Sequence, residues 1–170
     1  MKYLLVIYLI IATRAARGQQ KVEGLHVDWP ADYKWKVIDQ QDKNGIQLMR
    51  IIPGNDTKAN PSIIGAIAAY SGVKFSNTDE MIQHYQSGLD TGTTLTVMEK
   101  NNTTKNIWVL FKVETPVTKK YPEPESDLYY VIQGEYALYE NNVAIKSPSL
   151  SKEFVEKWTG IFKTARITFE

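Results

Sequence analysis

The feature that most constrains this 170-residue chain is an alternation: in residues 106–113, Ile107, Val109, Phe111 and Val113 recur at every second position. A period of two marks a β-strand with one buried face, because successive strand side chains point to opposite sides. Residues 127–139 repeat the pattern with Leu128, Tyr130, Ile132, Tyr136 and Leu138, and they are rich in the aromatic and β-branched types that suit a pleated surface. The two stretches are expected to be antiparallel neighbours, with 106–113 as the central strand of a sheet. The rest of the chain must then cover its apolar face.

The first eighteen residues have the three parts of an export leader: Lys2 as a positive start, an apolar run over 3–12, and Ala16-Arg17-Gly18 as a small-x-small cleavage site. The mature chain is expected to start at Gln19. As a membrane anchor the run falls short, since crossing a bilayer takes roughly 20 apolar residues and Arg14 and Arg17 end this one sharply. The chain has no cysteine, which excludes a lipidated cysteine and any disulfide framework, so stability must come from a core. At 43% apolar composition one core is affordable, and residues 19–170 read as a single domain. Export without cysteine suits a bacterial periplasm or cell exterior better than a eukaryotic secretory route, where small domains tend to be disulfide-rich. Secreted or periplasmic is therefore the expected location.

The formal charge of +1 becomes about −2 once Lys2, Arg14 and Arg17 leave with the leader. Charges of both signs are interspersed, whereas phosphate binding needs clustered Lys and Arg, so nucleic acid is not an expected partner. No integral membrane segment is expected after cleavage. The partner classes left are another protein or a small apolar ligand.

In chain order, residues 24–30 read as extended. Residues 33–39 and 46–52 read as a hairpin around Asn44-Gly45, with Tyr33, Trp35 and Val37 on one face. Residues 62–70 have neither clean alternation nor a helical stripe, and their length favours a buried strand. Asn77 with Glu80 three positions on reads as a capping box, opening a helix whose stripe is Met81, Ile82, Tyr85 and Leu89. Strands follow at 93–99 and 105–113, joined by a polar turn at 101–104. A Pro-rich excursion runs over 116–126. Asn141-Asn142 reads as a second tight turn before a short strand at 143–146. The chain closes on a helix begun by Ser149 or Ser151, with Phe154, Val155, Trp158, Ile161 and Phe162 at helical spacing. The expected fold class is α+β: an antiparallel sheet, one central helix, and a C-terminal amphipathic helix packed on one face against Ile107, Val109 and Phe111.

This element order over residues 24–168, with the closing helix that carries Phe154, Trp158 and Phe162, resembles the α+β fold of the photosystem protein PsbP and the DcrB-like proteins. The resemblance implies varied binding and accessory roles, usually without catalysis. It transfers no functional residue by position.

Chemistry-bearing patterns are few. Asp90-Thr91-Gly92-Thr93 looks like the signature of aspartic proteases, in which two such loops pair two aspartates around one proton. Only one copy is present, and an amphipathic helix rather than an apolar strand leads into it, so the reading set beside Asp90 as a catalytic residue is a turn built from Asp, Thr and Gly. Two histidines and no cysteine leave little for a metal. Glu80 with His84, and His26 with Asp28, could each share a face, and a local hydrogen bond accounts for either pair. Glu123, Glu125 and Asp127 alternate and so could attract Ca²⁺, without the glycine and spaced ligands of a Ca²⁺ loop, and read as a solvated acidic loop. No cofactor and no metal are expected. The remaining feature is aromatic: Trp108, Tyr129 and Tyr139 are assigned to the opposite sheet face as a binding surface, since tyrosine and tryptophan bury large area yet keep a polar group for a partner. The function expected from all this is an exported, non-enzymatic binding or accessory domain, with an exported hydrolase using Asp90, or a carrier of small apolar molecules, as alternatives.

Overall fold

The computed structural model describes residues 5–11, 22–103, 106–119 and 122–170. In chain order the elements are β1 (Leu5–Ile11), β2 (Glu23–Trp29), β3 (Lys36–Lys43), β4 (Ile46–Ile52), β5 (Ile64–Ser71), α1 (Thr78–Ser87), β6 (Thr94–Thr103), β7 (Asn106–Thr115), β8 (Glu125–Gln133), β9 (Ala137–Ile145), α2 (Lys152–Phe162) and β10 (Arg166–Phe169). A single 3-10 turn at Ala31–Tyr33 precedes β3.

Seven strands form one antiparallel sheet in the order β3-β4-β5-β9-β8-β7-β6, and β1-β2-β10 form a second, smaller one. Each face of the large sheet carries a buried cluster. On one, α1 packs Met81, Ile82 and Tyr85 against Val109, Phe111, Val113, Val131 and Leu138. On the other, α2 and β2 contribute Trp158, Phe162, Leu25, Val27 and Trp29 to a cluster with Leu110, Leu128, Tyr130 and Ile132. The fold is α+β, with a mostly antiparallel sheet and a C-terminal amphipathic helix packed on one of its faces. No helix among the described residues is long and apolar enough to cross a membrane.

Local signals account for several elements. Asn44 and Gly45 both have positive φ, 56° and 78°, as the tightest hairpin turn demands, and β3 and β4 pair around them. The strand expected over 62–70 is present as β5, which starts two residues later at Ile64 and runs to Ser71, flanked by β4 and β9. Its Gly65 lies so close under the Trp29 ring that a Cβ there would sit 2.7 Å from Cζ3. Asn77 caps α1 by accepting from the Asp79 and Glu80 amides, while the Glu80 carboxylate accepts from the Ser76 N–H. Ser151 caps α2 through the Phe154 amide.

The structure corrects other expectations. The strand at 106–113 is not central: β7 lies next to the edge, and β9 is the middle strand. Residues 127–139 are two strands, because the chain turns back at Gly134, whose N–H donates to the Ala137 carbonyl at 2.8 Å. Asn141-Asn142 lies inside β9 rather than in a turn, and Asn141 is fully buried opposite Tyr130 and Ile67. Turn propensity is a local preference, and two paired neighbours override it here.

Register also sets the faces differently. Phe111 stands opposite Tyr129, and Leu110 opposite Tyr130. A shift of one residue exchanges all the side chains of a strand between faces. Hence Phe154, Trp158 and Phe162 dock on the side of Leu110 and Tyr130, while Ile107, Val109 and Phe111 lie under α1. Val37 is exposed, off the face that Tyr33 and Trp35 share with the α2 side. Four residues are too few to announce β10 by alternation.

Part of the expected leader is a strand here, since β1 pairs antiparallel with β2 from Leu5↔Trp29 to Ile11↔Glu23. The expected cleavage site, Ala16-Arg17-Gly18, lies outside the described residues. So do Thr104, the last residue of the expected 101–104 turn, and Lys105, the first of the expected strand 105–113; Asn101, Asn102 and Thr103 of that turn belong to β6.

Candidate functional site

Helix α1 stops at Gly88, and the chain then makes a turn in which the Thr93 N–H donates to the Asp90 carbonyl at 3.1 Å. Gly92, at φ +93°, supplies the left-handed conformation that this turn needs at its third position. Facing it are the end of β7 and the start of β8. Between them lies a cleft of about 270 Å³, lined by Leu89, Asp90, Thr93, Val113, Thr115, Glu123, Glu125, Asp127 and Tyr129. A second, more open hollow of about 480 Å³ lies on the same turn, over Gln86, Thr91 and Thr94. A hydroxyl pair, Thr93 Oγ1 to Thr115 Oγ1 at 3.2 Å, ties the turn to β7.

Asp127 is the unusual member. It is only 7% exposed, and its Oδ1 accepts from the Asn142 amide at 2.9 Å. Burial above all, then the charge of Glu125, pushes its carboxyl up to about 7; the Asn142 hydrogen bond opposes the rise and Glu140 adds to it. Both charges that act on it are thus acidic, and a buried carboxylate with such neighbours favours its neutral form.

Behind it on β9, Glu140 accepts a 2.5 Å hydrogen bond from the Tyr85 hydroxyl, and burial holds its carboxyl above the ordinary range. That bond pins α1 to the middle of the sheet. Tyr85 and Tyr129 pack around Phe111 with ring centroids 5.0 Å away in each case, the Tyr129 ring stacked at 9°. Burial raises both phenols, with Glu140 second for Tyr85 and Asp127 second for Tyr129. Tyr70, on β5, is pushed up to about 12 by burial and by Glu140. Carboxyls and phenols therefore form a continuous polar seam from the cleft to the centre of the α1 side of the sheet.

The structure places the sequence-predicted residues apart. Asp90 is exposed at the rim of the cleft, within a turn. Trp108 packs beside Tyr130 on the α2 side, with centroids 5.4 Å apart. Tyr139 is fully buried on that side, opposite Ile132, which in turn faces Trp108. Tyr129 is on the other side, at the cleft. A shared aromatic surface of Trp108, Tyr129 and Tyr139 is thus broken up by the β7–β8 register, which no reading of one strand at a time can supply.

In the sequence, Asp127 reads with a solvated acidic loop and Tyr85 with the apolar stripe of α1, and no role is assigned to Glu140. The available signal is that Asp127 opens the stretch 127–139 whose alternation marks a strand, so its side chain belongs to a sheet face. His26 and Asp28 do form a local pair, Nε2 to Oδ1 at 2.8 Å, and Glu80 is engaged in the α1 cap. Among the described residues no three of His, Asp and Glu come together as metal ligands would.

No family model matches the chain, and no curated protein matches it. Among solved structures it is similar to a crystal structure from Bacteroides thetaiotaomicron VPI-5482, with 12% identity and a TM-score of 0.48. The match covers 85% of this chain and 45% of that one, so the chain spans less than half the length of the protein it matches.

Proposed function

We propose that this protein is an exported, non-enzymatic binding domain, and that its cleft at the α1–β6 turn receives a cationic group of its ligand. The observation that carries this reading is the Asp127 carboxyl, nearly buried in a cleft wall, with Glu125 and Glu140 as the charges acting on it. A cation entering the cleft would compensate a negative charge that burial otherwise disfavours, and Tyr129 adds an aromatic wall against which such a group can pack. The accessory role implied by the resemblance to PsbP and DcrB-like proteins is of the same kind. The hydrolase reading needs Asp90 desolvated beside a second carboxylate, and Asp90 is exposed in its turn. Export rests on the leader pattern of Lys2, the apolar run and Ala16-Arg17-Gly18.

Calorimetric titration with spermidine and with an arginine-containing tripeptide tests the cleft. Saturable binding that is at least several-fold tighter at pH 8 than at pH 5.5, and that Asp127→Asn weakens about tenfold, is expected, because ionised Asp127 is the binding form. Binding indifferent to both pH and Asp127→Asn would overturn the assignment.

A further inference from the structure

Strand β1, Leu5–Ile11, lies within the apolar run of the leader, residues 3–12. Strand β2 beside it belongs to the core: Leu25, Val27 and Trp29 are buried in the cluster under α2. The buried Glu23 carboxylate accepts from the Glu135 and Tyr136 amides and so holds the β8–β9 turn. One edge of β2 pairs with β10, from Arg166↔His26 to Phe169↔Glu23. The other edge pairs with β1 along all seven residues. β1 also touches β5, so its place is a slot between a backbone edge and the large sheet. Cleavage between Gly18 and Gln19 removes β1 whole, leaving seven residues of β2 with no neighbour on that side. An edge of that length beside apolar surface is a template for another strand, because unpaired N–H and C=O groups near a core are costly.

We propose that the mature protein uses this slot to take up an extended apolar segment of a partner polypeptide, antiparallel to β2 in the place of β1. The partner's chemistry is read from the segment that pairs there: Leu5-Val6-Ile7-Tyr8-Leu9-Ile10-Ile11 is six aliphatic residues and one tyrosine, with no charge, and its register supplies the pairing. Main-chain hydrogen bonds provide the affinity in such strand addition, and side-chain fit the selectivity. The inference rests on the export reading and is independent of the acidic cleft.

The test uses the exported protein and a fluorescent peptide of residues 4–12 with lysine tails. Saturable one-to-one binding, a raised thermal midpoint, and at least a tenfold loss of affinity when alternate peptide amides are N-methylated are expected. A folded 19–170 chain that ignores the peptide would overturn the proposal. Equal binding of the N-methylated peptide, or a dimer formed through β2, would do the same. Should 19–170 not fold alone, the full chain with a protease site engineered into residues 12–21 is cut after folding. Exchange of the cut strand for labelled peptide then supports the slot, and failure to exchange overturns it. N-terminal sequencing of the exported protein separates the two readings, since a start at Met1 removes the cleavage on which the open slot depends, whatever the peptide does.

Discussion

Asp127 shows how far one position can depart from the ordinary behaviour of its side chain. Its carboxyl titrates near 7 in the folded protein against 3.8 for an ordinary aspartate, so the folded state holds this proton more tightly than the unfolded chain does. The stability so gained is complete below pH 4 and is lost as pH rises through about 7. The contribution is on the order of a few kcal/mol. Urea unfolding is expected to show a higher midpoint at pH 5 than at pH 8, with a flatter profile in Asp127→Asn. An unchanged profile would show that Asp127 is solvated. Gly65 is constrained by contact instead: with Cζ3 of Trp29 2.7 Å and Cγ1 of Ile51 2.9 Å from where a Cβ would stand, neither neighbour can yield without disturbing the core. Gly65→Ala is expected to cost roughly 1–3 kcal/mol, as overpacking does, although alanine is a better strand residue than glycine. A gain in denaturation midpoint would show that the Trp29 ring moves freely.

Between elements, the informative contact is α2 on the sheet. Trp158 is fully buried, and its ring centroid lies 5.5 Å from Trp29 and 5.9 Å from Phe162. Trp158→Ala is expected to cost roughly 3–5 kcal/mol. A double-mutant cycle reads out the register: Trp158→Ala with Trp29→Phe should couple by roughly 0.5 kcal/mol or more, while Trp158→Ala with Phe111→Leu should be additive, because Phe111 lies across the sheet under α1. Coupling to Phe111 and none to Trp29 would mean that α2 covers the other face. The stripe Phe154, Trp158, Phe162 was plain in the sequence. Which face of the sheet it covers was not, since both faces of β7 and β8 carry apolar residues and nothing local ranks them.

For the whole molecule the consequence is two cores separated by one sheet. Trp108 belongs to the core under α2 and Tyr129 to the core under α1, so Trp108→Ser and Tyr129→Ser should each destabilise, and together they should cost several kcal/mol in near-additive fashion. Equilibrium unfolding of the singles and the double checks this. A loss of no more than about 1 kcal/mol for the double would return these residues to a surface role.

The amino-acid sequence by itself determined those elements whose causes are local: the Asn44-Gly45 hairpin, the Asn77 and Ser151 caps, the helical stripes of α1 and α2, and the alternation of β7 and β8. Each follows from backbone conformation or hydrophobic period within about a dozen residues. Only the tertiary structure decided which strand is central, where residues 127–139 turn, and that Asn141-Asn142 continues a strand. It also decided that Asp127 and Glu140 share one polar seam with Tyr85 and Tyr129. These outcomes depend on strand order and register, which are set by the joint burial of residues far apart in the chain, and a period of two is the same whichever neighbour a strand acquires.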